Sequence, residues 1–517
     1  MTERKPTWLG VAATVAILSS ILVMLITALG GPNVSLPAVH GAAHPPWSHP
    51  MHFTATTTIV LMWAALIVGC AGVIAGLAAI GRGFRIPIGA VLGFAFIAVA
   101  VLTVLPPAGS TDAMSYAANG RMAVIGHSPY VMTPLQLKDI GDPIGKQLAI
   151  PSLWNSTVSV YGPVATAAEW VAAKLGGTSL AHITFWLKLL EALCFGVVAF
   201  VLDRMLRNDP ARRLRAHLLW TVNPLLLWEI VASGHIDGLS AVFGLLGIVA
   251  LRRDPGTINA FVSGLMIALA TGVKVEYALF GLAVAWACRR SVVALGAAAA
   301  GFAVVTLPAY LLAGTPAIKV LFTRGGGITS DTMYQLFWRP VLGYTAFDVH
   351  HVPPHLVLIS YLLFAAVAVL AVMRLPDRAP DFPALTPALG LSLAWLFVTG
   401  FQRPWYDVMA LSLLALYALP PAGGDPLHPR KFAGMLDSVV LIRLLAAGTV
   451  YVVAIDNPAE PHWLHDLYQF NQAWLAPAVL LLAAIALVWM CVKSYPQERA
   501  VDNAHDNVAG SKLPLAT

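Results

Sequence analysis

Asp112 stands in the segment Gly109-Ser110-Thr111-Asp112-Ala113-Met114-Ser115-Tyr116, directly after an apolar run long enough to cross a membrane. Tyr116, Asn119, Arg121 and Ser128-Pro129-Tyr130 follow it closely. An ionisable group at the mouth of a span is a functional candidate, because desolvating charge there is costly. Two readings of Asp112 are open. It is either a reactive carboxylate at the membrane–water interface or part of a helix cap, since Ser110, Thr111 and Asp112 all suit that role. Further along, His235-Ile236-Asp237 separates two short apolar runs, Lys274 and Glu276 separate the next two, and Arg403-Pro404-Trp405-Tyr406 opens another.

One carboxylate, several cations and aromatic rings at a single depth suit a sugar carried on a lipid phosphate. Arginine and lysine neutralise the leaving phosphate, and arginine can bind it through two hydrogen bonds. The carboxylate takes the proton from an acceptor hydroxyl as that oxygen attacks the anomeric carbon. The transition state resembles the oxocarbenium ion of glycoside hydrolysis. A single carboxylate suffices, because a phosphate leaves without a proton. Aromatic rings offer the sugar an apolar face.

The elements that must position these residues are apolar helices. The chain has 517 residues, 58% hydrophobic and 11% charged, with a mean hydropathy of +0.76. Ordinary soluble domains carry roughly 25% charged residues, so an all-α polytopic membrane protein is expected. Apolar runs fall at 8–29, 55–80, 86–105, 181–202, 217–231, 239–251, 258–271, 275–287, 292–312, 356–372, 384–398, 408–419, 436–454 and 474–492. They give about 14 spans, several of them shorter than the roughly 20 residues of a full crossing. The basic clusters at Arg82/Arg85, Arg204 to Arg215, Arg252/Arg253, Arg289/Arg290 and Arg430/Lys431 all fall on one side of this arrangement. The positive-inside rule makes that side cytoplasmic, with both termini there and Asp112 outside. It also accounts for the net charge of +6, so no nucleic-acid partner is expected.

Residues 1–492 read as one transmembrane domain. The outer loops, at about 106–180 and about 313–354, are rich in polar residues, and 493–517 reads as a disordered cytoplasmic tail. The run 164–175 carries Glu169 and Lys174 and is too short to span, which suggests an interfacial amphipathic helix. Gly325-Gly326-Gly327 would let the second outer loop close over substrate. Cys70, Cys194, Cys288 and Cys491 lie far apart in apolar runs, so neither a zinc site nor a disulfide framework is expected.

Each candidate outside Asp112 also has a structural reading. Trp405 and Tyr406 suit an aromatic belt, Arg403 suits snorkelling to headgroups, and Lys274 suits an ion pair with Glu276 or Asp237. His235 and Asp237 are two of the three ligands a metal needs. Tyr161-Gly162-Pro163 suits a turn into a helix, with Pro163 at the first helical position.

Five stretches, in order along most of the chain, resemble the GT-C glycosyltransferases. Within them, the chain resembles the polyprenyl-phosphomannose-dependent α-(1→6)-mannosyltransferases of lipomannan and lipoarabinomannan synthesis. The stretches are Asp112 to Arg121 with Ser128-Pro129-Tyr130; Tyr161-Gly162-Pro163; Asn223-Pro224-Leu225 running to Gly234-His235-Ile236-Asp237; Lys274; and Arg403-Pro404-Trp405-Tyr406. The resemblance implies a GT-C fold with Asp112 as catalytic base. It also implies inversion at the anomeric carbon, a polyprenyl-phosphate-mannose donor, a mannan or lipoglycan acceptor, and no metal or other cofactor. It places the protein in the plasma membrane with the site facing the exterior. Arg403, Lys274, Arg339 and Arg324 are then the expected phosphate ligands. Tyr116, Arg121, Tyr130, Tyr161, His235, Asp237, Trp405 and Tyr406 are expected around the sugars. The chain departs from the pattern in one respect: Asp112 follows the third expected span, where many GT-C enzymes place this aspartate after the first. A polyprenyl-phosphate-arabinose donor and a lipid or solute transporter are the alternatives. The clustering of ionisable residues on one face, away from the bilayer midplane, disfavours the transporter.

Overall fold

A computed structural model describes residues 8–39, 44–148, 154–253, 255–323, 327–329, 332–337, 354–377, 379, 381–417, 428–453 and 461–493. Among them the chain is helical and contains no strand. Six helices are long and apolar enough to cross a membrane: Trp8–Leu29, Ala55–Gly81, Leu180–Leu206, Val292–Ala313, Pro354–Arg374 and His462–Lys493. Five shorter apolar helices accompany them, at Ile88–Val104, Thr257–Val273, Val275–Cys288, Leu385–Val398 and Pro404–Leu416.

The molecule has the polarity of a membrane protein. Phe96, Ile258, Val292, Leu311 and Leu312 point outward, while Lys188, Glu191, Arg215, Asp407 and Arg443 are buried. Small residues let helices approach where no hydrophobic force separates protein from lipid. A Cβ on Gly264 would lie 1.9 Å from the Ala298 carbonyl oxygen, and one on Gly301 would lie 2.0 Å from that of Phe261. The Thr257–Val273 and Val292–Ala313 helices are therefore in backbone contact through both glycines. Cys70, Cys194, Cys288 and Cys491 are free and buried, as expected of small core residues.

The expected pair of spans at 217–231 and 239–251 takes a different form. The first is interrupted, because Pro210–Leu219 ends and a new helical segment, Pro224–Ala232, begins. Asn223 starts it, with its side chain accepting the Leu225 N–H at 3.1 Å and Pro224 at the first helical position. Pro224–Ala232 then meets Asp237–Ala250 at a bend of 113°. Gly234, at φ +74°, supplies the left-handed residue of that bend. A broken, folded-back segment of this kind is tolerated at membrane depth when protein surrounds it, and Trp228 through Asp237 are all buried.

Two buried arginines tie distant parts of the chain together. Arg215 Nε and Nη2 donate to Asp437 at 2.8 and 2.5 Å, while Nη1 donates to the carbonyls of Leu414 and Tyr417. Arg443 donates to Asp407, to Gln402 Oε1 at 3.3 Å and to the Leu396 carbonyl at 2.9 Å. Arg443 thereby holds both ends of the segment that contains Arg403, Trp405 and Tyr406.

Candidate active site

Asp112 is the first residue of the Asp112–Val124 helix, and Thr111 occupies the cap position without a side-chain cap bond. The capping alternative therefore does not describe Asp112. Its own N–H is received by Ser110 Oγ at 3.1 Å. The loop before it is fixed from three directions. Lys188, fully buried in the Leu180–Leu206 helix, donates to the carbonyls of Leu102, Leu105 and Pro106 at 2.7, 2.6 and 3.1 Å. The Ala108 N–H donates to the Ala232 carbonyl at 3.1 Å and the Gly109 N–H to the Ser35 carbonyl at 2.7 Å. Gly109 has φ +74°, and a Cβ there would sit 2.8 Å from Trp228 Nε1. Both the conformation and the space demand glycine.

Behind Asp112 the Pro163–Gly176 helix packs closely. A Cβ on Gly120 would fall 2.1 Å from the Glu169 carbonyl oxygen. The buried face of this helix, Ala165, Glu169, Ala172, Ala173 and Gly176, follows helical spacing. At 14 residues the helix is about 21 Å long, short of the roughly 30 Å hydrocarbon thickness. Glu169 is fully buried, with Asn119 Nδ2 donating to Oε1 at 3.4 Å. Burial pushes its carboxyl up to about 8, against the opposing pull of Asn119.

A cavity of about 420 Å³ opens over Asp112. It is lined by Asp112, Tyr116 and Asn119, by Trp154, Tyr161, Lys274, Glu276, Arg403, Trp405 and Tyr406, and by Val357, Tyr361 and Trp395. The Tyr116 and Tyr161 hydroxyls lie 3.0 Å apart, with the rings edge to face. Burial holds both phenols well above their ordinary range, so they remain hydrogen-bond donors. Burial also raises the Asp112 carboxyl above its usual value. Arg403, Lys274 and the hydroxyls of Ser110 and Tyr116 pull it down without cancelling that rise. A raised carboxylate is a stronger base. Lys274 Nζ is 2.7 Å from Asp237 Oδ1 and lies 3.6 Å over the Tyr406 ring centroid. The Arg403 guanidinium faces the rings of Tyr451, Phe401 and Trp154 at 4.9, 5.1 and 5.9 Å.

The cavity thus gathers Asp112, Tyr116, Tyr161, Lys274, Arg403, Trp405 and Tyr406 from the sequence candidates. His235 and Asp237 stand behind its wall. His235 Nε2 is 3.8 Å from Asp112 Oδ2, and its ring stacks on Trp405 at 3.7 Å and 16°. Tyr130 donates to or accepts from Thr166 at 2.8 Å and packs with Ala317 and Val320, one layer out. Arg121 is turned away and paired with Asp142 at 2.8 Å; Asp142 also caps Pro143–Gln147 by accepting the Ile144 N–H at 2.8 Å. Arg121 is outside the cavity for that reason. Arg324 and Arg339 lie outside the described residues. Lys188, Arg443, Trp154 and Trp395 were not singled out from the sequence, and Glu276, read there only as a possible partner of Lys274, lines the cavity itself. Charged residues within apolar runs are informative by themselves, and that signal alone points to Lys188 and Arg443.

The cavity sets buried cations and the Asp112 carboxylate among aromatic rings in a helical membrane fold, and a family match makes this a membrane glycosyltransferase. The model of the MptA_B family, described as the N-terminal domain of α-(1→6)-mannopyranosyltransferases, matches residues 7–290. The chain belongs to this family. A probable α-(1→6)-mannopyranosyltransferase of Mycolicibacterium smegmatis is 25% identical over 439 residues, covering 75% of this chain and 72% of the relative. The α-(1→6)-mannopyranosyltransferase A of Mycobacterium tuberculosis is 23% identical over 453 residues, covering 83% and 80%.

Proposed function

We propose that the protein transfers mannose from a polyprenyl-phosphate-mannose donor to a growing α-(1→6)-mannan of the lipomannan and lipoarabinomannan type, with inversion. The observation that carries this reading is the placing of Asp112 and Arg403 in one cavity walled by aromatic rings. Arg403 binds the donor phosphate and Lys274 lends it a second positive charge. The polyprenyl chain leaves over the lining residues Val357, Tyr361 and Trp395. Trp405, Tyr406, Tyr116 and Tyr161 hold the two sugars. Asp112 accepts the proton of the attacking hydroxyl, that oxygen bonds to the anomeric carbon, and the phosphate departs with the electron pair of the broken bond. The raised basicity of Asp112 suits that step. In this reading residues 1–492 act as one domain of the plasma membrane, with the cavity facing the exterior and both termini in the cytoplasm.

The deciding experiment offers purified protein polyprenyl-phosphate mannose and polyprenyl-phosphate arabinose separately, with a short α-(1→6)-oligomannoside acceptor, using wild type and Asp112→Asn. Mannose transfer that disappears in the variant is expected. Arabinose transfer would overturn the donor, and undiminished transfer by the variant would overturn the base.

A further inference from the structure

His235 is fully buried and does not line the cavity, yet it is held against the back of Asp112. Its Nδ1 lies 2.5 Å from the Glu229 carbonyl oxygen. A carbonyl only accepts, so Nδ1 carries the hydrogen and donates it, which leaves Nε2 of the neutral ring as a bare acceptor. Nε2 has no hydrogen-bond partner and lies 3.8 Å from Asp112 Oδ2. The stack on Trp405 and the Glu229 bond fix the ring plane. Burial above all disfavours a positive charge on this ring, against the pull of the Glu229 bond, and Lys274, from the end of Thr257–Val273, and Arg403, from the Trp405 segment, add to that. Asp237, two residues on, is engaged by Lys274.

While Asp112 is ionised, two acceptors face each other and no hydrogen bond joins them. The situation reverses when Asp112 gains a proton: Oδ2–H becomes a donor and closing the gap by about 1 Å gives a normal bond to Nε2. We propose that His235 is a positioning residue for the transfer step, accepting a hydrogen bond from Asp112 Oδ2–H as Asp112 removes the acceptor's proton. The balance is simple. The acceptor O–H bond breaks, its oxygen bonds to the anomeric carbon, and the carbon–phosphate-oxygen bond breaks with its electron pair on the phosphate. The proton stays on Asp112, held by His235, and afterwards passes to the released polyprenyl phosphate or to water. The bond exists only once the proton has begun to move, so it stabilises the transition state and leaves substrate binding alone. This inference rests on Asp112 being the base.

The test measures kcat and both KM values, with thermal melting, for His235→Asn and His235→Phe, each alone and with Asp112→Asn. Asparagine keeps a donor for Glu229 and loses Nε2; phenylalanine keeps the stack on Trp405. A fall in kcat of about 10- to 100-fold with unchanged KM values is expected, together with no further loss when His235→Asn is added to Asp112→Asn. A wild-type kcat in His235→Asn, a rise in KM alone, or an equal loss in the Asp112→Asn background would each overturn it. If the asparagine variant does not fold, the phenylalanine variant decides by the same criteria. Undiminished turnover by Asp112→Asn alone would instead remove the base on which the inference stands.

Discussion

Lys274 reaches across to Asp237, with Nζ 2.7 Å from Oδ1, and leaves the neighbouring Glu276 carboxylate on the cavity wall. The pair is buried, at 5% and 2% side-chain exposure. Removing one partner of a buried ion pair costs about 3–5 kcal/mol, because the other charge is left uncompensated. Lys274→Met is therefore expected to lower the melting temperature in detergent markedly, and Lys274→Arg to restore most of it. It also removes positive charge from the donor site, so a higher donor KM is expected in whatever folded fraction remains. A variant with wild-type melting would show that Asp237 finds another partner.

Asp112→Asn keeps the shape of the side chain and removes its basicity. General-base catalysis typically supplies 10²–10⁴-fold, so a loss of kcat of about that size is expected with KM values near wild type. Isothermal binding of the donor should survive. A variant that binds no donor would point to a structural role for Asp112.

The pH profile has a definite sign. A base must be ionised to act, so activity is present above the Asp112 pKa and lost as pH falls through it. Burial raises that pKa, so the acid limb should lie above the ordinary carboxylate value of about 3.9. Arg403 is the foremost charge pulling it down. Arg403→Gln should move the acid limb of kcat further up in pH, beside its effect on donor KM. A limb unmoved by that change would separate Arg403 from Asp112 electrically.

Gly120→Ala tests the packing behind the base. The added methyl would meet the Glu169 carbonyl oxygen at 2.1 Å, and backbone cannot yield as a flexible side chain does. Overpacking of this kind costs roughly 1–3 kcal/mol. Differential scanning should show a lower melting temperature, and kcat should fall because the Asp112–Val124 helix must shift. An unchanged melting point would mean the two helices are farther apart than they are here.

Arg443→Met leaves Asp407 buried without its cation and again costs on the order of 3–5 kcal/mol. Adding Asp407→Leu removes the stranded charge, and the double variant should recover much of the lost melting temperature. If it recovers stability but not activity, Arg443 serves to hold the Arg403–Tyr406 segment.

The class of fold was legible in composition, and one lining residue of the cavity in the position of Asp112, because charge in an apolar chain is conspicuous. The grouping of Lys274, Trp405 and Tyr406 with Asp112 was legible from their common depth. The interrupted segment at Trp220–Asn223 was not, because hydropathy runs on through Trp220 and Val222 while Asn223 and Pro224 restart the helix. Against the expected count of about 14 spans, six or seven of the described helices meet the length and apolarity of a span, and five shorter apolar helices stand beside them. Arg121 illustrates another limit. Its type and closeness to Asp112 suggested a ligand, but its partner Asp142 stands 21 positions away, and no local pattern announces a pairing at that range. Likewise, nothing in a sequence tells His235 behind the wall from a histidine lining it.

Arg215 and Asp437 are 222 positions apart, and that separation has a consequence in time. At about 5–20 residues per second, roughly 10–45 s of synthesis pass between the emergence of one and of the other. During that interval the nascent chain carries a guanidinium without the Asp437 carboxylate that pairs it in the folded protein, and burying it uncompensated is costly. The Pro210–Leu219 helix therefore reaches its final place late, when the carboxyl-terminal third arrives, and ribosome-bound fragments ending before Asp437 should leave Arg215 open to water-borne reagents.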